Sequence, residues 1–296
     1  MWLLALAAVL ATVFLLCSAY EKRHISDSVY DVASDALPET FEGFRIAFLS
    51  DLHGETFGDG NASLAARIGD FSPDLILLGG DMVTLQKSGL DEARAEHDLQ
   101  TLDELLTRLE HIAPVLYSDG NHERRFFDVK QLYPKQKDTF LKILKKHGVI
   151  LLRNRREAIT RGNDRILISG LSLPDEFYGR FRKTPFPEDF TEEKLGPKTE
   201  DYEILLLHSP LYIQEAASYG ADLVLAGHFH GGTVRFPYLG GLMTPQFQLF
   251  NPYCKGMFTA GKTVQIVSGG LGTHSVPIRF NNRPDLVLIT LHRRVE

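Results

Sequence analysis

Five short apolar runs along the chain each end in Asp, Asn or His. The runs and the polar residues that follow them are Phe44–Leu49 with Asp51 and His53, Leu75–Leu78 with Asp81, Val115–Tyr117 with Asn121 and His122, Glu203–Leu207 with His208, and Leu223–Leu225 with His228 and His230. Any one of these polar residues alone is typical of a cap or a turn. Repetition at five strand-like ends favours a shared site instead, because α/β sheets place their sites at the carboxyl ends of strands.

Helical patterns separate most of these runs, and further strand-like runs follow them. The predicted helices are Asn61–Phe71, Asp91–Ile112, Pro134–His147 and Leu211–Tyr219, and the additional strands are Val149–Leu152, Glu157–Ile159, Arg165–Ile168, Thr263–Val267 and Leu286–Leu291. Strands that first alternate with helices and then predominate predict an α/β sandwich with mixed sheets. The length of 296 residues is enough for one large α/β domain or two small ones.

The charge balance and the cysteine content argue against two classes of protein. The formal net charge is −6, whereas a dedicated nucleic-acid-binding protein needs a basic surface to contact phosphates. No nucleic-acid partner is therefore expected. The two cysteines are Cys17 and Cys254, and Cys17 lies in an apolar N-terminal run, so no disulfide framework is predicted.

The segment from Trp2 to Tyr20 is almost wholly apolar and is close to the roughly 20 residues that span a bilayer. A cleaved signal peptide is the alternative, since Cys17-Ser18-Ala19 resembles a small-residue cleavage site. No Lys or Arg precedes the run, and Lys22 and Arg23 follow it. This charge distribution favours an uncleaved, single-pass anchor in the cell membrane, with the rest of the chain in the cytoplasm.

The predicted organisation has three parts and one irregular span. Residues 1–20 form the anchor, residues 21–43 form a polar tether, and residues 44–296 form the folded domain. The span 171–202 is too long for a simple connection, which predicts a lid or a binding loop. Its aromatic and basic residues are Phe177, Tyr178, Phe181, Phe186 and Phe190 with Arg180, Arg182 and Lys183. They either cover an acyl chain or the bilayer surface, or they hold the loop on the domain.

The residue types at the strand ends are those of a divalent-metal site. Carboxylate, amide oxygen and imidazole ligands suit Mn²⁺, Fe, Zn²⁺ or Co²⁺. Neither cysteine belongs to these clusters, which disfavours a closed structural zinc site. The stretch GHFHGG at residues 227–232 leaves open whether His228 and His230 bind one ion, bind two ions, act as an acid–base pair or are simply polar residues in a turn.

In chain order, the blocks D-x-H, G-D, G-N-H-E, H and G-H-x-H resemble the calcineurin-like metallophosphoesterase superfamily. They occur at Asp51/His53, Gly80-Asp81, Gly120–Glu123, His208 and Gly227–His230, and the resemblance covers roughly residues 44–292. The segments GGTVRFPYLGG and SGGLGTHSVPIRFNNRPDLVLITL resemble the bacterial branch with an N-terminal membrane segment. That branch includes phosphodiesterases and enzymes that cleave the pyrophosphate of UDP-diacylglucosamine. The resemblance implies a four-layer α-β-β-α sandwich with two mixed sheets, preceded by one N-terminal transmembrane helix.

The resemblance also implies two metal sites that share one carboxylate. One ion would be held by Asp51, His53 and His230, and the other by Asn121, His208 and His228. Asp81 would bridge both ions, and His122 would face the substrate and protonate the leaving oxygen. Two divalent ions are the expected cofactors, with Mn²⁺ first and Fe, Zn²⁺ or Co²⁺ as alternatives.

The sequence departs from the family pattern just after the bridging residue. Many relatives have an Asp three residues after it that orients the catalytic histidine, followed by an Arg, whereas this chain has Thr84 and Leu85. His122 therefore needs another orienting group, and Glu123 is one candidate. The arginines that are candidates for contacting substrate are Arg124, Arg279 and Arg283.

The resemblance predicts a two-metal hydrolase that cleaves a phosphodiester or pyrophosphate bond by attack of a metal-bridging hydroxide. Its expected substrate is lipid-linked or nucleotide-like, and its expected partner is the membrane, through the N-terminal helix. A phosphomonoesterase or protein phosphatase is the alternative, although the missing Asp and Arg after Asp81 argue against the protein phosphatases. A non-catalytic metal-binding scaffold is the least favoured interpretation, because all seven ligand positions carry suitable residues.

Overall fold

The computed structural model describes residues 1–87, 91–128, 130–180, 183–273 and 276–294. Phe181 and Arg182 of the irregular span lie outside the described residues. Within the described ranges the helices are α1 (Trp2–Glu21), α2 (Ala62–Phe71), α3 (Glu92–Leu109), α4 (Pro134–Lys146), α5 (Phe190–Leu195) and α6 (Ile213–Tyr219). The strands are β1 (Ser26–Ser34), β2 (Phe44–Leu49), β3 (Leu75–Leu78), β4 (Val115–Tyr117), β5 (Ile150–Leu151), β6 (Arg155–Arg161), β7 (Asp164–Gly170), β8 (Glu203–Leu206), β9 (Leu223–Ala226), β10 (Arg235–Phe236), β11 (Gly240–Gly241), β12 (Gly256–Ala260), β13 (Thr263–Val267) and β14 (Asp285–Arg293).

Across the described residues, the strands form two six-stranded sheets and a short β10–β11 hairpin. The order is β1-β14-β2-β3-β4-β5 in the first sheet and β12-β13-β9-β8-β7-β6 in the second. In the first sheet, β14 runs antiparallel to β2, and β2 to β5 are parallel. In the second sheet, the central strands are parallel and the edge strands β6 and β12 are antiparallel to their neighbours. The predicted α/β fold with mixed sheets is confirmed.

Alternation of side chains along the strands produces the layers of the domain. In β2, Ile46 and Phe48 join the core between the two sheets, whereas Ala47 and Leu49 join the core beneath the helices. Apolar side chains of α2, α3 and α4 cover the outer face of the first sheet, and those of α5 and α6 cover the outer face of the second. The four-layer α-β-β-α arrangement follows, because each sheet has two apolar faces that must be buried.

The carboxyl ends of the parallel strands of both sheets meet at one crevice. The Nδ1 atom of His208, which follows β8, donates a hydrogen bond of 2.7 Å to the carbonyl of Gly79, which follows β3. This contact joins the carboxyl end of β8 in the second sheet to the carboxyl end of β3 in the first. The polar clusters at the five strand ends are therefore drawn together, as the sequence pattern predicts.

The segment predicted as a polar tether contains the edge strand β1. This strand pairs in parallel with β14 along its full length. Val32 is 3% exposed and joins the core between the sheets, whereas Val29, on the other side of the strand, is 63% exposed. Residues 26–34 therefore differ from the free tether that the sequence predicts, because they complete the edge of the first sheet.

Helix α1 is, by length and composition, able to cross a membrane. Its large side chains from Trp2 to Leu16 are mostly exposed, and Ser18 is buried against the domain. An apolar surface of this size is unfavourable in water, so the helix needs an apolar environment around most of its length.

Val32→Ala tests whether β1 belongs to the folded core. Removing two buried methyl groups should lower the free energy of unfolding of the full chain by about 1–3 kcal/mol, because the lost burial leaves a small cavity. Val29→Ala is the matched control on the exposed side of the same strand and should change it by less than about 0.5 kcal/mol. Denaturant unfolding of the detergent-solubilised protein measures both variants. Equal, near-zero effects would show that the segment is a tether.

Candidate metal centre

Five of the predicted metal ligands have left-handed backbone conformations. Their φ angles are 55° at Asp51, 50° at His53, 54° at Asp81, 67° at His228 and 46° at His230. Such a conformation in a non-glycine residue costs about 1–3 kcal/mol and persists only where the surrounding structure imposes it. The sharp turns direct side chains from separate strands toward the same crevice, and strain of this kind is concentrated at functional sites.

The GHFHGG stretch turns between its two histidines. Residues 230–232 form a 3-10 turn, and the Phe229 side chain is fully buried in the domain. The Nε2 atom of His230 lies 3.5 Å from Oδ1 of Asp51. In contrast, a ligand atom of His228 lies within 4.8 Å of one on Asp81. The two histidines therefore face different carboxylates.

Among the described residues, three three-residue groups share the crevice, and the ligand atoms of each lie within 4.8 Å of one another. Two of them have no member in common and are called clusters below, whereas the third, His53, Asp81 and His122, overlaps both. The first cluster is Asp51, His53 and His230, and the second cluster is Asp81, His208 and His228. Oδ2 of Asp81 is 3.1 Å from Nε2 of His208 in its own cluster and 4.0 Å from Nε2 of His53 in the other. Asp81 thus faces both clusters, which is the position that a bridging carboxylate requires.

Three of these histidines are held through their Nδ1 atoms. The carbonyl oxygens of Gly79 and Gly272 can only accept, so His208 and His230 donate from Nδ1 to them, at 2.7 and 3.1 Å. Nδ1 of His53 lies 3.0 Å from the hydroxyl of Thr84. Each contact leaves Nε2 directed at a carboxylate of the crevice, and such outer contacts are characteristic of histidines that bind metals.

Among the described residues, the buried crevice atoms without a hydrogen-bond partner include Oδ1 of Asn121 and Nε2 of His228. Buried polar atoms are nearly always paired in proteins, so two such atoms lining the same crevice as Asp81 indicate a missing partner. A mixed set of oxygen and imidazole nitrogen atoms suits divalent cations of the manganese, iron and zinc type. The residues present therefore fit a pair of metal ions.

The charges in the crevice also favour a cation. Burial raises the pKa of Asp81, but His208, His122 and His53 outweigh it and hold that pKa well below its usual range. Burial lowers the pKa of His208, whereas the Asp81 carboxylate raises it to about 10. Burial and the neighbouring His208 hold the pKa of His228 well below its ordinary value, so this imidazole stays neutral. A cation beside Asp81 would take the place of the proton on His208.

Glu123 holds the loops after β3 and β4 against each other. Its buried carboxylate accepts backbone N–H hydrogen bonds from residues 81–83 and from Gly120, at 2.7 to 3.2 Å. The loops approach so closely that a Cβ atom on Gly80 would lie 2.3 Å from the nitrogen of Gly120. Glycine is therefore required at this contact, and the G-D and G-N-H-E motifs form one interlocked unit.

His122 is oriented by the backbone of Leu85. The Leu85 N–H donates to Nδ1 of His122 at 2.9 Å, and the Arg125 guanidinium lies 2.9 Å from the same atom. Because Nδ1 accepts a hydrogen bond, the proton of the neutral ring is on Nε2, which faces Asp81 at 4.0 Å. Glu123 was the predicted orienting candidate, but its carboxylate contacts the loop backbone instead.

Basic side chains line the cleft above the two clusters. The cleft has a volume of about 1070 Å³, and Arg94, Arg125 and Arg180 line it. Arg94, on α3, forms an ion pair of 2.8 Å with the buried Asp98. Arg180 lies over the Phe247 ring, 5.0 Å from its centroid. Sequence reasoning missed Arg94, which adjoins no ligand motif, whereas Arg180 belongs to the irregular span predicted as a lid or a binding loop.

The three arginines predicted to contact substrate make other contacts. Arg124 forms an ion pair of 3.2 Å with Asp175. Arg279 is 1% exposed, and its guanidinium donates to five backbone carbonyls of residues 269–283. Arg283 lies 5.6 Å from the centroid of the Tyr20 ring, at the end of α1. These contacts favour structural roles for Arg279 and Arg283.

Part of the irregular span forms a wall of the cleft. The Tyr178 ring meets the His228 ring edge to face, with centroids 4.9 Å apart. Phe177 and Phe190 are buried in the core on the outer face of the second sheet. Phe177 and Phe190 therefore hold the irregular span on the domain, which is one of the two predicted roles. Tyr178 instead forms part of the site.

The chain is similar to several known proteins. Residues 44–232 match the calcineurin-like phosphoesterase family. The uncharacterized metallophosphoesterase YkuE of Bacillus subtilis is 26% identical over 274 residues, which are 92% of this chain and 87% of the relative. The phosphodiesterase YaeI of Escherichia coli is 28% identical over 250 residues, which are 84% of this chain and 82% of the relative. A transmembrane protein with a metallophosphoesterase domain from Danio rerio is 28% identical over 297 residues, which are 97% of this chain and 61% of the relative.

Thr84→Val tests the contact that holds His53. Loss of the hydroxyl should weaken Mn²⁺ binding by roughly 10–100-fold, because groups that orient a metal-binding histidine commonly contribute that much. Thr84→Ser keeps the hydroxyl and is the matched control. Titration calorimetry of the detergent-solubilised full chain with Mn²⁺ measures both. Wild-type affinity in Thr84→Val would show that the hydroxyl does not position the ligand.

Proposed function

Since the chain belongs to the calcineurin-like phosphoesterase family, we propose that it hydrolyses a phosphodiester or pyrophosphate bond with the help of two divalent cations. The observation that carries this proposal is the position of Asp81, which faces both ligand clusters. A phosphoric ester hydrolase is the activity of the family. The two-metal mechanism and the class of bond are the parts of this proposal that go beyond the family activity.

The proposed ligands follow from the two clusters and the buried atoms beside them. Asp51, His53 and His230 would hold one ion, Asn121, His208 and His228 would hold the other, and Asp81 would contact both. When bound, such a pair of ions activates water and neutralises charge on the phosphoryl oxygens. Mn²⁺ is the first candidate, and Fe, Zn²⁺ and Co²⁺ suit the same ligands.

His122 is the proposed proton donor. Its Nε2–H faces the crevice, and the hydrogen bond from Leu85 to Nδ1 keeps the ring in that tautomer. Charge develops on the leaving oxygen as the ester bond breaks, and a proton from Nε2 would neutralise it. Arg94, Arg125 and Arg180 would attract the anionic substrate to the cleft, because they line its walls.

The shape of the cleft supports a diester or pyrophosphate substrate over a monoester. A smaller, apolar pocket of about 160 Å³ adjoins the main cleft beside His230 and is lined by Met243, Phe247, Val276 and Ile278. A diester carries an organic group on each side of its phosphorus, and the main cleft and the side pocket provide room for two. The apolar lining supports a lipid-linked group in the side pocket.

Helix α1 is proposed to anchor the protein in the cell membrane. Its length and apolar composition support this role, as does the similarity to a transmembrane protein over nearly the whole chain. Lys22 and Arg23 directly follow the helix, which supports a cytoplasmic position for the domain. In this proposal residues 1–20 are the anchor, and the domain of residues 44–296 is extended by β1.

Asp81→Asn tests the two-metal assignment. The amide keeps the size of the side chain but removes the charge that both clusters face. Hydrolysis of bis(4-nitrophenyl) phosphate with Mn²⁺ should fall by more than about a hundredfold, because even groups that only orient metal ligands commonly contribute 10–100-fold. Bound manganese per chain, measured by elemental analysis, should fall as well. Asp138→Asn on the exposed side of α4 is the matched control.

Two outcomes would contradict the proposal. Full turnover and full metal content in Asp81→Asn would exclude Asp81 as a bridging ligand. Faster hydrolysis of 4-nitrophenyl phosphate than of the bis-ester by the wild-type protein would favour the phosphomonoesterase alternative.

His122→Ala tests the proposed proton donor. The loss should be small for bis(4-nitrophenyl) phosphate, whose leaving group needs little protonation. For diphenyl phosphate, with a more basic leaving group, the loss should be roughly 10²–10⁴-fold, which is the usual contribution of general acid catalysis. His111→Ala, an exposed histidine outside the site, is the control. Equal losses for both substrates would assign His122 to binding rather than to proton transfer.

A further inference from the structure

The last two turns of α1 are docked on the catalytic domain through one face of the helix. Phe14 packs against Phe280, with ring centroids 4.9 Å apart. The Ser18 hydroxyl accepts a hydrogen bond of 3.1 Å from the N–H of Arg279. The Glu21 carboxylate accepts two bonds of 2.9 Å from the N–H groups of Asn281 and Asn282. The three helix residues are four and three positions apart, so they lie on one side of the helix.

This docking leaves too little free helix to cross a bilayer. Residues 2–13 precede the first contact and are roughly 18 Å long at 1.5 Å per residue. The hydrocarbon core of a bilayer is about 30 Å thick. If α1 spans the membrane, the stretch from Phe14 onward must also lie within the bilayer or its interface. The part of the domain that packs against Phe14 is then brought to the same depth.

The domain surface beside this contact is apolar. Among the described residues outside α1, eleven large hydrophobic side chains are exposed, and seven of them lie in or next to one loop region. These seven are Phe236, Tyr238, Leu239, Phe247, Leu249, Phe250 and Val276. Arg235 and Val234 join this region to Phe280 through a backbone hydrogen bond of 3.0 Å and a β-bridge. The apolar region is thus continuous with the segment on which α1 docks.

Basic and aromatic groups border the same surface. Arg283 stacks on Tyr20, and Lys22 and Arg23 follow at the end of α1. Aromatic rings and basic side chains of this kind are enriched where a protein meets lipid headgroups.

We propose that the loop face, defined as residues 236–250 together with Val276, rests in the interfacial layer of the bilayer beside α1. This inference rests on the proposed anchoring by α1 and goes beyond it, because a free tether would leave the loop face in water. The apolar side pocket lies between the loop face and His230, since Met243, Phe247 and Val276 belong to both. The cleft therefore opens at the membrane surface, and an amphiphilic phosphoester reaches the metal centre from the bilayer.

Quenching of tryptophan fluorescence by brominated lipids tests the depth of the loop face. The chain has a single tryptophan, Trp2, so the wild-type protein reports on the anchor. The double variant Trp2→Phe/Tyr238→Trp reports on the loop face at a fully exposed position. Trp2→Phe/Leu141→Trp is the matched control on α4, at the far edge of the first sheet. Each full-length protein is placed in nanodiscs of phosphatidylcholine and phosphatidylglycerol, with and without bromine on the acyl chains.

The expected result is quenching at position 238 that exceeds quenching at position 141 by at least about threefold, since interfacial residues lie within 5–10 Å of the acyl boundary. Quenching of Trp2 without quenching at position 238 overturns the inference and leaves the anchoring intact. Absence of quenching at Trp2 as well overturns both. A blue-shifted but unquenched signal at position 238 overturns the inference in favour of cover by a second copy of the chain. Leu249→Trp repeats the measurement if Tyr238→Trp does not fold.

Discussion

The candidate metal centre depends on the hydrogen bonds of the buried Glu123 carboxylate. This carboxylate binds the backbone of two loops at once and receives a further hydrogen bond of 2.7 Å from Tyr117. These contacts keep the turn at Asp81 against the turn at Gly120, and so set the positions of the Asp81 carboxylate and of Asn121. Burial and the nearby Asp81 charge raise the pKa of Glu123, so the pair is electrostatically costly. Cations beside Asp81 would offset that cost, which links metal binding to the stability of the loops.

The strand ends could be predicted from sequence because their signal is local. A short apolar run followed by Asp, Asn or His identifies both a buried strand and the edge at which it ends, and β3, β4 and β13 have the predicted bounds. Strand β1 could not be identified in this way. Its partner β14 is more than 250 residues away, and its sequence SDSVYDVAS has few apolar residues because one side of the strand is exposed. The short helix α5 was missed as well, since it lies inside the irregular span.

The contacts that backbone groups make in the site could not be predicted from the sequence. His122 has no acidic partner at position 84, and the absence of that motif residue predicted that another group, such as Glu123, orients the ring. In the structure, the Leu85 N–H donates to His122 instead, and the Thr84 hydroxyl contacts His53. The arginines show the same limit. Arg279 lies within a segment that resembles the family, yet its guanidinium donates to backbone carbonyl groups. Arg94 and Arg180 reach the cleft from elements without a motif, because their direction depends on tertiary packing.

The contacts of Arg279 join helix α1 to the first cluster. Its N–H binds Ser18 of α1, and its guanidinium binds the carbonyls of Gly270 and Gly272. The Gly272 carbonyl also receives the Nδ1 hydrogen bond of His230, so one segment holds both the helix and a ligand. A flexible tether would let the cleft take any orientation above a membrane. If α1 spans a membrane as proposed, its docking through this segment sets one angle between cleft and bilayer, which would suit the proposed lipid-linked substrate.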